Sequence, residues 1–120
     1  MSRNLELSVD EFYHIYNHGN GERKIFFDDG DRWRFIKLLY LANSVKQNHF
    51  DDISCGQEFD IDRDELITFI GAYGLMDNHY HLLVKEKEEG GISKFIQKLS
   101  TGYTMYFNIK YHKRGSLFEG

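Results

Sequence analysis

The order in which two hydrophobic periods alternate along this chain is its strongest constraint. A period of two marks a half-buried strand, and a period near 3.6 marks a helix with one buried stripe. Phe12 to His18 (FYHIYNH) is aromatic and β-prone, and it stops at Gly19-Asn20-Gly21, as a strand entering a glycine turn does. Arg23 to Phe27 reads as a short extended piece. Asp28, Asp29 and Asp31 then offer a helix cap and first-turn acids. From Arg32 the apolar residues Trp33, Phe35, Ile36, Leu38, Leu39, Tyr40 and Leu41 predict a helix with a broad buried stripe, running to about Lys46. Leu66 to Met76 and His79 to Lys85 are two β-rich runs joined by Asp77-Asn78, a hairpin pattern. Ile92, Phe95, Ile96, Leu99, Tyr103, Tyr106 and Phe107 predict a second helix ending near Tyr111. Ser116 to Gly120 starts a last strand. The order strand, helix, strand, strand, helix, strand is a split βαβ pattern. It predicts an α+β, ferredoxin-like sandwich, with an antiparallel sheet and two helices on one face.

A chain of 120 residues has room for one core, so residues 1–120 are read as a single domain. With 41% hydrophobic and 16% aromatic residues it can bury enough apolar surface to fold, which excludes global disorder. Residues 48–65 are polar and acidic without a clear period, and read as a surface loop or insertion. No apolar run is long enough to span a bilayer, so no membrane partner is expected. The first residues lack an apolar signal segment, and the lone Cys55 has no internal partner. Both fit a reducing, cytoplasmic setting.

The net charge of −4 argues against a general nucleic-acid binder, but its distribution qualifies that. Residues 1–60 carry seven basic against eleven acidic side chains, and residues 61–120 carry eight of each. From Ile92 to Phe118 there are five basic residues and no acid. A local positive surface is what phosphate contact needs, although ordinary lysines on a solvated helix give the same pattern.

The stretch Met76 to Val84 (MDNHYHLLV) holds the chemistry. Residues two apart on a strand share a face, so His79 and His81 project together while Tyr80 and Leu82 point the other way. Two neutral imidazoles on a rigid strand are a ready pair of metal ligands. A His-x-His pair is also common at strand starts without any such role. A closed structural zinc site needs four ligands and usually cysteine, so an open site completed by an outside oxygen suits this pair better. His14 shares its face with Phe12 and Tyr16 and reads as a packing or surface residue, and Tyr13 and Tyr16 read as packing.

Three blocks carry a resemblance: FYHIYNHGNGERKIFFDDGDRWRFIKLL, then FIGAYGLMDNHYHLLV, then GGISKFIQKLSTGYTMYFNIKYHKRGSLFEG. In that order they resemble the REP-associated tyrosine transposases and their insertion-sequence-200-like relatives. The signature of that family resembles "MPNHxHLL", and Asn78, His79, Tyr80, His81, Leu82 and Leu83 match its "NHxHLL" part. The resemblance implies a single-stranded DNA nuclease and strand transferase of the HUH type, acting on hairpin-forming strands and often as a homodimer. It implies that His79 and His81 hold a divalent ion, magnesium or manganese, which polarises the scissile phosphate. It further implies a tyrosine that attacks to form a 5′-phosphotyrosine link and frees a 3′-hydroxyl.

This chain departs from the pattern in three places. Asp77 replaces the usual proline of the signature, which a tight turn tolerates. His18 stands where arginine is expected. The chain stops at Gly120, before the helix that carries the tyrosine and a further polar ligand in such proteins, so a partial active site is expected. Tyr103 is the candidate for an internal nucleophile, but it continues the apolar stripe of the second helix and reads more readily as core.

The expected DNA contacts are His18, Asn20, Arg23 and Lys24, around a glycine turn where backbone can approach phosphate, and Lys110, Lys113 and Arg114 after the second helix. The latter three equally suit the negative end of the helix dipole. Two rival readings stand beside this one. A non-catalytic single-stranded nucleic-acid binding module would stack bases on sheet aromatics. A hydrolytic site for a small molecule would need a deep pocket at the histidines.

Overall fold

The computed structural model describes residues 7–46, 53 and 56–119. Cys55, Gly120 and residues 48–52 and 54 of the acidic stretch lie outside them. The sheet is built on a strand with two unlike faces. In β3 (His79–Glu86), Tyr80, Leu82, Val84 and Glu86 are buried, while His79, His81, Leu83 and Lys85 face away from the core. β3 lies between β1 (Phe12–His18) and β2 (Thr68–Met76), antiparallel to both. The order β1-β3-β2 makes β3 the central strand among the described residues. In the register Tyr16 stands opposite His81 and His18 opposite His79, so their side chains share the outer face.

Both helices cover the inner face. α1 (Asp29–Ala42) and α2 (Gly91–Tyr111) pack Phe35, Leu38, Leu39, Phe95, Leu99, Tyr103 and Phe107 against Tyr80, Leu82 and Val84. Each fully buried Phe or Leu contributes roughly 1.5–3 kcal/mol. The helix ends have named causes. The Asp28 carboxylate accepts from the Asp31 backbone N–H at 2.8 Å and caps α1. The buried Glu86 carboxylate accepts from the backbone N–H groups of Gly90 and Ile92 and starts α2, with Gly90 at φ 80°.

The observed α+β architecture agrees with the expectation, with local differences. α1 ends at Ala42 rather than near Lys46, because Asn43 turns inward. Its side chain bonds the backbone of Ile67 and Thr68 and ties the helix end to β2. Trp33, expected in the buried stripe of α1, is 55% exposed. Arg23–Phe27 is irregular rather than extended, following a 3₁₀ turn at Asn20–Glu22. The last strand is a single antiparallel bridge between Phe118 and Gly19, beside β1. Gly19 is needed there, since a Cβ would sit 2.3 Å from the Arg23 carbonyl oxygen.

Candidate functional site

The outer face of the sheet presents three imidazoles together. His79 and His81 lie with ring centres 4.9 Å apart and nearly perpendicular. The His14 ring, from β1, meets the His81 ring edge to edge, with centres 4.9 Å apart and planes 15° from parallel. Its Nε2 is 2.8 Å from His81 Nδ1. His79 Nδ1 is 2.8 Å from the Asn78 side-chain oxygen and donates to it. Each histidine of the pair therefore has its Nδ1 engaged by a neighbour, which leaves Nε2 for a ligand. The exposed Tyr16 ring stands 6.0 Å from His81.

The electrostatics favour a neutral His81 ring. Partial burial, then the neighbouring His79 and His14, lower the His81 pKa. A neutral imidazole is the form that binds a cation. Two imidazoles whose Nδ1 atoms are engaged by neighbours can supply part of a divalent coordination set through Nε2. Among the described residues no group of three or more His, Cys, Asp or Glu forms a complete one. The pair therefore suits an ion whose other ligands are water, substrate oxygen or side chains outside the described residues.

The face around the histidines is open. Phe12, Tyr16, Phe69, Met76 and Leu83 are exposed on the sheet and its edges. Two open grooves, each of about 320 Å³, lie elsewhere: one between α1 and β2, the other between α2 and residues 115–118. An open surface of this kind suits a polymer better than an enclosed small molecule.

A family description, transposase IS200 like, matches residues 12–119. The chain belongs to this family. No curated protein and no solved structure matches it. Membership gives the domain a transposase-like function with DNA as its partner. Among the described residues no helix is long and apolar enough to cross a membrane.

Seen as a transposase, the chain distributes its expected DNA contacts unevenly. Asn20 donates its side-chain amide to the Ser116 carbonyl and pins the turn to the last bridge. His18 lies 3.7 Å from the Glu119 carboxylate. Arg23 lies over the Phe107 ring at 5.3 Å, and Lys24 reaches Asp77 at 4.0 Å. Asp77 also accepts from Arg32 at 2.9 Å, so it organises two cations. Lys113 and Arg114 are exposed in the turn after α2.

Lys110 is placed differently. Its ammonium is 2.7 Å from the buried Asp31 carboxylate and 2.9 Å from Asp28. Those carboxylates raise its pKa, and it serves as a tie between α1 and α2. Tyr103 is fully buried. Its hydroxyl donates to the Ile25 carbonyl, and burial followed by the nearby Asp31 pushes its pKa far up. A nucleophile must reach a phosphate and lose its proton, and Tyr103 does neither here.

Sequence reasoning missed His14. The signal was present, since FYHIYNH places His14 on the same face as His18. What was missing was the pairing register, which decides whose side chains meet across the strands.

Proposed function

We propose that this domain is an HUH-type nuclease and strand transferase that binds single-stranded, hairpin-forming DNA on the outer face of its sheet. The observation that carries the reading is the pairing of His79 and His81 on the central strand, with both Nδ1 atoms engaged by neighbours. An ion bound there, magnesium or manganese, would polarise the scissile phosphate and steady the leaving 3′-oxygen. The protein's own part is to hold the two rings oriented, so that little is reorganised when the phosphate arrives. Arg23, Lys24, Lys113 and Arg114 supply backbone contacts, which position the strand without reading its sequence. Tyr103 is not proposed as the nucleophile.

A second reading is favoured by one observation, the exposed Phe12, Tyr16 and Phe69 on a sheet without a complete ligand set among the described residues. That is the surface of a non-catalytic single-strand binding module.

One incubation separates the two. The chain is mixed with manganese and a 3′-labelled single-stranded hairpin library and run on native and denaturing gels. A native shift that weakens with chelator supports the metal-assisted reading. A shift that survives both chelator and the His79→Ala/His81→Ala change supports the binding module. The absence of any shift contradicts both. An adduct that resists denaturant would place a nucleophile inside this chain, and Tyr16 would be replaced first.

A further inference from the structure

We propose that His14 is a positioning residue for the metal pair: its Nε2 accepts the Nδ1 proton of His81 and so directs the His81 Nε2 lone pair to the bound ion. The inference rests on the reading of His79 and His81 as ligands and adds a third histidine to their function.

The geometry leaves two proton arrangements for the 2.8 Å contact between His14 Nε2 and His81 Nδ1. In one, His14 donates, and His81 carries its proton on Nε2, where it blocks a ligand. In the other, His81 donates from Nδ1, and its Nε2 presents a lone pair. Only the second allows ligation, because Nδ1 is already covered by His14. His79 is held in the same sense by the Asn78 oxygen. Both members of the pair therefore have a hydrogen-bond acceptor behind the ring, one an amide and one an imidazole. Such acceptors fix the tautomer and orientation of a ligating histidine, and their loss typically weakens metal affinity 10–100-fold.

The position of His14 is set by the fold. It lies on β1, two residues from Tyr16, which stands opposite His81 in the register. The near-coplanar ring also packs beside His81 and limits the tilt of its plane. Ring packing and hydrogen bonding make different demands on position 14, so substitutions separate them. Phenylalanine keeps a flat ring and offers no acceptor nitrogen. Glutamine gives up the ring and offers an oxygen acceptor.

The test is calorimetric titration of Mn²⁺ into the unmodified chain and the His14→Ala, His14→Gln and His14→Phe variants, with folding checked by circular dichroism. The expected result is about a tenfold or greater loss of affinity in His14→Ala and His14→Phe, with partial recovery in His14→Gln. Equal affinity in all four would overturn the positioning role while leaving the ligand pair intact. A loss as complete as that of His79→Ala, without recovery in His14→Gln, would make His14 a direct ligand and overturn it too. If the unmodified chain itself takes up no Mn²⁺, the ligand reading fails and this inference falls with it. The same titrations therefore distinguish the two failures.

Discussion

Two polar clusters sit on opposite sides of this sheet, and they are built to opposite ends. Between the helices, the fully buried Asp31 carboxylate accepts from the Tyr106 and Tyr111 hydroxyls, the Lys110 ammonium and the Phe27 backbone N–H. Its hydrogen-bonding capacity is taken up inside the protein. On the outer face, His14, His79 and His81 engage one another and Asn78 through one side of the pair's rings and leave the other side open. A saturated cluster holds the fold together, whereas a cluster with spare lone pairs is equipped to take a ligand. That difference is why Lys110 and the histidine pair, both expected to face DNA or its metal, part company in the structure.

The largest expected effect breaks the first cluster. Asp31→Ala strands two hydroxyls and a backbone N–H and leaves Lys110 with only the Asp28 carboxylate, and is expected to cost about 3–5 kcal/mol of folding stability, read by urea unfolding. An unchanged midpoint would mean that the cluster is not a structural tie. Asp31→Asn, which keeps an acceptor oxygen, should cost less.

A smaller effect appears with acid. Burial raises the Asp31 pKa, but the hydrogen bonds from Lys110, Tyr106, Tyr111 and Phe27 outweigh it and bring the value down to about 2. The folded value lies below the ordinary 3.8, so this group's contribution is present above about pH 4 and is lost as pH falls toward 2. The loss should amount to about 2 kcal/mol and be absent in Asp31→Asn. Identical acid profiles for the two proteins would refute it.

The smallest effect concerns the exposed cations. Lys113→Ala/Arg114→Ala should leave stability unchanged and flatten the salt dependence of single-strand binding, by about 1.4 in the slope of log K against log salt. Lys110→Ala should instead lower stability. If Lys110→Ala left stability intact and flattened the slope as the double change does, Lys110 would belong to the DNA face after all.

Much of the fold could be read before any coordinates. β1 falls on its expected residues, and α2 begins within one residue of its apolar stripe, because strong periodicity and glycine punctuation mark both. The shared face of His79 and His81 followed from strand geometry alone. Facts that depend on who meets whom could not be read in this way. His14 acquires its partner from the register of β1 on β3. Lys110 loses its freedom to two aspartates more than 70 residues earlier, a contact no local pattern encodes. Trp33 looked like part of a helical stripe and is 55% exposed, since the core meets α1 through Phe35, Leu38 and Leu39 instead.

The central claim is that the open cluster binds a divalent ion through His79 and His81. Its most direct test is Mn²⁺ titration by calorimetry of the unmodified chain, His79→Ala and His81→Ala, each shown to unfold at the same urea midpoint. Binding to the unmodified chain that disappears in both variants is the predicted result. Titrations unchanged by either substitution would contradict the account.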